Sequence, residues 1–83
     1  MQLEVLTPSE KVFSGKVKLV KAPGSSGSFE VLNNHAPIIS ALADGELKII
    51  TEADETLRYD ISGGVIEVND NVIVVLAEKL VIE

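Results

Sequence analysis

With 83 residues, the chain has the length of one domain with one core, and we expect residues 1–83 to form a single β-sandwich domain. A formal net charge of −6 repels phosphate backbones and anionic lipid head groups, which argues against nucleic-acid binding. The absence of cysteine excludes disulfides and thiolate-bound metal. No run approaches the ~18 apolar residues that span a bilayer, so any membrane association must run through a partner.

Apolar residues recur at every second position, as at Leu3 and Val5 and again at Val17 and Leu19. Turn residues separate these runs, and Val, Ile and Leu dominate them, which favours sheet over helix. The pattern predicts an all-β protein, a small antiparallel β-sandwich of about eight to ten short strands. The predicted strands are residues 2–6, 11–22, 28–32, 38–42, 46–52, 56–62, 65–68 and 72–77, with a short final strand at 80–82.

Several turns can be predicted from residues that tolerate positive φ. Asp44-Gly45 lies between apolar residues and indicates a tight hairpin, and Asn69-Asp70-Asn71 indicates a second one. Gly63-Gly64 suggests a bulge or a close approach by another backbone, with local geometry favoured. For the turn near Asp54, keeping the apolar side chains on one face predicts a three-residue loop at 53–55, with residue 51 opposite 57, 49 opposite 59 and 47 opposite 61.

The run from Val72 to Ala77 contains no polar residue. It predicts a central strand covered on both faces, by the second sheet on one side and by something else on the other. A partner subunit is one candidate for the second cover.

The candidate chemistry is concentrated in one loop region, residues 24–38. The Gly-Ser-rich segment 24–28 lacks the Lys-Ser/Thr of a phosphate-binding loop and leads into a strand, so we interpret it as a turn. The only histidine, His35, has no second histidine or carboxylate pair near it in sequence. We expect its ring to bond backbone groups and shape the loop, with interface contact as the alternative. The Ala36–Pro37 bond is expected to be trans. We predict no catalytic, cofactor-binding or metal-binding residues.

Short motifs spaced along the whole chain occur together in one known family. They are Thr7-Pro8, Val12-Phe13-Ser14-Gly15, Pro23-Gly24 with Gly27, His35-Ala36-Pro37-Ile38, Leu42 with Gly45, the segment 62–68 (SGGVIEV) and the segment 74–77 (VVLA). In this order they resemble the N-terminal β-sandwich of the epsilon subunit of F-type ATP synthases. The resemblance implies a non-catalytic rotor subunit of the central stalk, which links the gamma subunit to the c-ring and supports proton-driven ATP synthesis.

The resemblance also implies where the partners bind. The c-ring would face a set of exposed polar residues: Ser25, Ser26, Gly27, Ser28, Asn33 and Asn34. The gamma subunit would face Phe13, His35, Ala36, Pro37, Ile38 and Ser40. The implied location is peripheral, on the cytoplasmic face of a bacterial inner membrane or on the stromal face of thylakoids.

Two departures from the family pattern affect what can be carried over. The family often has Pro-Gly before the histidine, whereas this chain has Asn33-Asn34; asparagine also tolerates the left-handed conformation, so the turn is expected to persist. The chain also ends at Glu83, without the two-helix C-terminal domain that many members use for inhibition, and the resemblance implies that this chain lacks that inhibition.

Two alternatives belong to other classes of protein. A biotinyl or lipoyl carrier is also a small acidic sandwich, but it needs a lysine at a hairpin tip, and Lys79 lies near the C-terminal end instead. A ligand-binding sandwich for sugars would present aromatic residues for stacking, and this chain has two Phe, one Tyr and no Trp.

Overall fold

Seven β-strands make up the described part of the chain, residues 1–81 of the computed structural model. No helix occurs among these residues, and hence none that could cross a membrane. The strands are β1 (Gln2–Leu6), β2 (Lys11–Ala22), β3 (Phe29–Leu32), β4 (Ile38–Leu42), β5 (Gly45–Thr51), β6 (Thr56–Asn69) and β7 (Val72–Val81).

Five of the strands close into a ring in the order β1-β7-β6-β5-β2, because β1 pairs with both β7 and β2. The β1–β7 pair is parallel, and the other pairs are antiparallel. Strand β3 adds to the second half of β2, and β4 adds to the second half of β6. Closure pairs each of the five ring strands on both sides along part of its length, whereas β3 and β4 each pair with one strand.

The long strands β2 and β6 pass from one layer of the sandwich to the other. We name the layers after their shortest ring strands. The β1 sheet contains β4, the second half of β6, β7, β1 and the first half of β2, whereas the β5 sheet contains β3, the second half of β2, β5 and the first half of β6. Side chains alternate across each strand, so every second residue points between the two layers. The core is therefore apolar throughout: it comprises Leu3, Val5, Val17, Val20, Ala22, Val31, Leu42, Leu47, Ile49, Ile61, Ile66, Val68, Ile73, Val75 and Ala77.

The predicted all-β sandwich is confirmed, with seven strands because two predicted pairs merge. Residues 56–62 and 65–68 belong to one strand, β6, which runs through Gly63 and Gly64 at φ values of 63° and 140°. A Cβ atom on Gly64 would lie 2.2 Å from the carbonyl oxygen of Leu76, so the glycine permits a close backbone approach as well as unusual local geometry. The predicted final strand continues β7 as far as Val81, and its last residue, Ile82, lies outside the described residues.

The predicted hairpin at Asp44-Gly45 is wrong. Strands β4 and β5 do not pair with each other; they lie end to end along the same edge of β6, opposite residues 64–68 and 56–61. Neither Asp44 nor Gly45 has a positive φ. Gly45 is needed for a different reason, because a Cβ atom there would lie 2.9 Å from the Cβ atom of Pro23. The segment is a corner at which the chain moves from one sheet to the other.

The hairpin at Asn69-Asp70-Asn71 is confirmed. Asn69 pairs with Val72, and the two intervening residues, Asp70 and Asn71, have φ values of 49° and 63°. Positive φ at both central positions is the signature of the turn that matches the twist of antiparallel strands.

The turn near Asp54 has the predicted length but a different register. Residue 49 lies opposite Leu57 and residue 47 opposite Tyr59, a shift of two positions from the prediction. A shift of two keeps every side chain on its predicted face. The Thr51 N–H donates to the Glu55 carbonyl at 2.9 Å, which leaves residues 52–54 in the loop.

Candidate interaction surfaces

The outer face of the β1 sheet, which points away from the core, carries most of the large exposed apolar side chains. Four of the six in residues 1–81 lie there: Ile39, Val65, Val72 and Leu76. Strand β7 is central, as predicted, since it lies between β1 and β6. Its inner residues, such as Ile73 and Val75, are buried, whereas its outer face has no cover within residues 1–81.

Strand register places part of this face in one line. Val65 lies opposite both Ala41 on β4 and Leu76 on β7, and Leu76 lies opposite Leu6 on β1. We call these four residues (Leu6, Ala41, Val65 and Leu76) the apolar row. At about 4.8 Å between neighbouring strands, the row extends about 14 Å across four strands.

Two carboxylates lie beside the apolar row. In the next line of the sheet, Glu67 lies opposite Ile39 and Val74, and Val74 lies opposite Glu4. The Glu4 carboxylate accepts a hydrogen bond of 2.9 Å from Ser14 Oγ and lies 3.5 Å from Lys11 Nζ. Glu67 is exposed. The outer face therefore combines an apolar centre with acidic groups.

The outer face of the β5 sheet is different in character. The exposed or half-buried charged residues there include Lys21, Glu30, Glu46, Lys48 and Arg58. Arg58 donates a hydrogen bond of 2.7 Å to Glu46 on the neighbouring strand. Leu32 at the end of β3 is 53% exposed. This face has the mixed charges that are typical of a solvated surface.

The loop that carries Ser25–Ser28 is attached to the C-terminal end of β4. The Ser25 N–H donates to the Ala41 carbonyl at 3.0 Å, and the Gly27 N–H donates to the Gly24 carbonyl at 3.0 Å. Gly27 has a φ of 126°, and its four-residue segment is exposed. The backbone of the loop is thus fixed while its hydroxyl groups face solvent.

The turn that carries Asn33 and Asn34 lies at the other end of β3. The His35 N–H donates to the Leu32 carbonyl at 3.1 Å, and Asn34 has a φ of 64°, so asparagine forms the left-handed turn as expected. His35 Nδ1 lies 2.7 Å from the Ala36 carbonyl oxygen. Because a carbonyl can only accept, Nδ1 is the donor, and the ring shapes the loop as the sequence predicted. All peptide bonds in residues 1–81 are trans, including Ala36–Pro37.

The structure brings together only part of the predicted c-ring surface. Asn33 and Asn34 are neighbours, but the four residues of β3, about 13 Å of extended chain, separate them from Ser28. A partner that contacts both segments must follow the edge of β3.

The predicted gamma surface is also divided. Ala36 and Pro37 are exposed and His35 is half-buried, at the start of β4. Phe13 and Ile38 are partly buried against the core, and Ser40 shares the inward side of β4 with Ile38. Sequence reasoning did not select the outward residues Ile39, Val65 and Leu76. The available signal was the unbroken apolar run 72–77, which indicated a second cover but not which neighbouring residues share it.

The two alternative classes gain no support from these positions. Lys79 lies within β7, opposite Ser62, and not at a hairpin tip. All three aromatic residues of the chain, Phe13, Phe29 and Tyr59, are partly buried against the core. Within residues 1–81, no group of three or more His, Asp or Glu side chains is close enough to hold a metal ion.

An exposed apolar sheet face on a small β-sandwich is typical of domains that bind other molecules. The family model described as the β-sandwich domain of the ATP synthase Delta/Epsilon chain matches residues 1–83, and the chain belongs to this family. The epsilon chain is a non-catalytic subunit of ATP synthase, a membrane-associated complex.

Individual relatives agree with this assignment. The chain is 45% identical to the ATP synthase epsilon chain of Pelotomaculum thermopropionicum over 76 residues, which is 92% of this chain and 56% of that protein. It is 36% identical to the epsilon chain of Chlorobaculum tepidum, and the match covers 94% of this chain and 89% of that protein. The chain thus spans between about half and most of the length of these bacterial relatives.

A solved structure has the same fold. A chain in the cryo-EM structure of the Euglena gracilis mitochondrial ATP synthase, which contains OSCP, F1 and the c-ring, superimposes with a TM-score of 0.86. The two chains are 26% identical, and the match covers 95% of this chain and 51% of that one.

Proposed function

We propose that this chain, as a single domain, is the β-sandwich of a rotor subunit of F-type ATP synthase. It binds the gamma subunit and the c-ring in the central stalk and thereby supports proton-driven ATP synthesis. The observation that carries the proposal is the apolar outer face of the β1 sheet in a member of the epsilon family. A strand with one face in water normally alternates apolar and polar residues, whereas β7 has apolar residues on its outer face as well.

The outer face of the β1 sheet is the proposed gamma surface. Fully burying a Leu or Ile side chain is worth about 1.5–3 kcal/mol. Ile39 is 76% exposed and Leu76 is 50% exposed in the free chain, so half or more of that free energy is still to be gained. A partner that covers both residues gains about 1–2 kcal/mol from each. His35, Ala36 and Pro37 extend the surface past the start of β4.

The exposed edge of β3 is the proposed c-ring surface, with Ser25–Ser28 at one end and Asn33-Asn34 at the other. Both segments are polar and exposed, which suits contact with polar loops. They carry no charge of their own, so this contact depends on hydrogen bonds and shape. The subunit is thereby peripheral on the cytoplasmic face of a bacterial inner membrane, or on the stromal face of thylakoids; the bacterial relatives favour the first.

Binding to the cognate gamma subunit tests the first surface. Leu76→Gln removes an exposed apolar side chain from the apolar row, and Leu32→Gln removes one of nearly equal exposure, 53% against 50%, from the other sheet. We expect Leu76→Gln to weaken gamma binding about tenfold, which corresponds to about 1.4 kcal/mol, and Leu32→Gln to leave it unchanged. Isothermal titration calorimetry measures both.

Capture of the chain by the cognate c-ring in detergent tests the second surface. Ser26→Glu and Ser26→Lys add opposite charges at one exposed position, and at least one of them is expected to reduce capture. Equal gamma binding by Leu76→Gln and Leu32→Gln would remove the apolar row from the proposal. Absence of binding of the wild-type chain to the gamma subunit, or absence of its capture by the c-ring, would refute the proposed function.

A further inference from the structure

Two turns that are distant in sequence are joined by one side chain. The Asn34 N–H donates to Asn71 Oδ1 at 2.8 Å, and Asn71 Nδ2 donates to Asn33 Oδ1 at 2.7 Å. The first turn connects β3 to β4, and the second connects β6 to β7. Asn71 is half-buried, whereas Asn33 and Asn34 are exposed.

The chemistry of the donors fixes the orientation of both amides. A backbone N–H can only donate, so the atom of Asn71 that faces Asn34 must be its oxygen. The Asn71 nitrogen then faces Asn33, whose oxygen must turn toward it. Neither bond belongs to a sheet ladder: β3 pairs with β2, β4 pairs with β6, and β6 pairs with β7. The two bonds therefore act on the position of residues 33 and 34, not on the strands.

The neighbouring contacts show that the loop needs such a constraint. Asn34 has a φ of 64°, the turn beside it is otherwise closed by the bond from the His35 N–H to the Leu32 carbonyl, and the His35 ring bonds only to the next residue, Ala36. Residues 36 and 37 that follow are exposed. Without the bond from Asn71, the exposed turn has few contacts that select one conformation.

We propose that Asn71 is a positioning residue for partner binding: it holds the Asn33-Asn34 turn against the β6–β7 turn in the conformation that meets the partner. This inference rests on the proposed function and adds to it a residue from a different part of the sequence. Its physical basis is preorganisation, since a loop that is already ordered loses less conformational entropy when a partner binds.

The chain offers a variant that removes the two bonds and keeps the turn. Asn71 has a φ of 63°, which glycine adopts readily, so Asn71→Gly deletes the side chain while the hairpin geometry persists. Asn71→Asp is the conservative variant, because its carboxylate still accepts from the Asn34 N–H and its second oxygen can accept from Asn33 once that amide rotates. Asp54→Gly is the control: it places glycine at a φ of 63° in the distant β5–β6 turn and removes one exposed side-chain bond, from Lys18 to Asp54.

Three measurements on the full chain test the inference: amide hydrogen exchange at Asn34, the thermal midpoint, and affinity for the cognate c-ring in detergent. For Asn71→Gly we expect faster exchange at Asn34 and an affinity lower by roughly fivefold. Asn71→Asp should restore slow exchange and most of the affinity. Asn71→Gly loses two side-chain hydrogen bonds and Asp54→Gly loses one, so their thermal midpoints should agree within a few degrees.

The outcomes separate this inference from the proposed function. Equal c-ring affinity of wild type and Asn71→Gly overturns the positioning role, even if exchange at Asn34 rises. Unchanged exchange at Asn34 overturns the claim that Asn71 holds the turn. Absence of c-ring binding by the wild-type chain refutes the proposed function itself, and the positioning role with it.

Discussion

The bend of β6 at Gly64 gives the sharpest prediction for stability. Gly64→Ala would place a Cβ atom 2.2 Å from the Leu76 carbonyl oxygen and 2.9 Å from Ala77 Cα, at a φ of 140°. Both contacts are backbone atoms of β7, which cannot move without breaking the β6–β7 pairing. The expected destabilisation combines about 1–2 kcal/mol of backbone strain with a further 1–3 kcal/mol for the overlap, or about 2–5 kcal/mol in total.

A second glycine supplies the matched control. Gly27 also has a positive φ, 126°, but no atom lies within 4 Å of the position that its Cβ would occupy. Gly27→Ala should therefore show the strain alone, about 1–2 kcal/mol. The difference between the two variants isolates the overlap with β7.

Urea unfolding monitored by far-ultraviolet circular dichroism measures both variants, since the chain has no tryptophan for a fluorescence signal. For a domain of this size, total stability is of the order of 5–10 kcal/mol, so Gly64→Ala should lose a large part of it. If the two variants differ by less than about 0.5 kcal/mol, the β6 bend can relax at little cost, and the argument from close backbone approach fails.

Two further predictions concern the core and a surface ion pair. Leu47 is fully buried, and Ile50 lies on the outward side of the same strand. Leu47→Ala should therefore lower the free energy of unfolding, measured in urea, by about 2–5 kcal/mol, and Ile50→Ala should lower it by less than about 1 kcal/mol. Similar losses for the two variants would contradict the assigned faces. The hydrogen bond and charge of Asp54, 2.7 Å from Lys18 Nζ, raise the pKa of Lys18 above its ordinary value of 10.5. A raised pKa stabilises the folded state below pH 10.5, and that contribution disappears as pH rises through the folded-state value. The stability difference between wild type and Asp54→Asn should therefore be constant from pH 7 to about pH 10 and shrink above it; a difference that grows above pH 11 would contradict the assignment.

Local patterns predicted the strands well because alternation and turn residues are local properties. The bounds of β1, β2 and β4 follow from apolar spacing and flanking turn residues. The hairpin at Asp70-Asn71 followed from residues that tolerate positive φ, and both have it. The inward and outward sides of β5 were also correct, since Leu47 and Ile49 are buried while Glu46 is exposed.

The failures share a physical cause, which is that pairing partners are set by contacts distant in sequence. Gly45 looked like a hairpin residue, yet it is small because Pro23 lies against it. The β5–β6 register was shifted by two because such a shift leaves the pattern of faces unchanged. The parallel pairing of β1 with β7, which closes the ring, joins strands about 70 positions apart, and no local signal encodes it.

From the sequence, the candidate partner surface could be predicted only in part: the second face of the strand at 72–77 was expected to be covered, but the other residues of that surface were not identified. The run 72–77 has no polar residue, and this alone indicated that β7 has two apolar faces. What the sequence could not supply is the set of neighbours on that face. Ile39 is the most exposed large apolar residue in residues 1–81, yet in sequence it stands beside the partly buried Ile38 and looks like one more core residue of a short strand.

The contrast between the two outer faces explains why the β1 sheet is the better candidate for the gamma surface. On the β5 sheet, Glu46 and Arg58 form an exposed ion pair across β5 and β6. A partner that buried this pair would have to remove water from both charges, which costs desolvation energy. On the β1 sheet, the apolar row itself carries no charge, the ion pair of Glu4 with Lys11 lies at its Leu6 end, and Glu67 stands beside it without an ion pair among residues 1–81. A partner that covers this row gains most if it also brings a cation to Glu67. Glu67→Gln should accordingly weaken binding of a basic partner surface, and chiefly at low salt, because screening reduces the attraction between exposed charges.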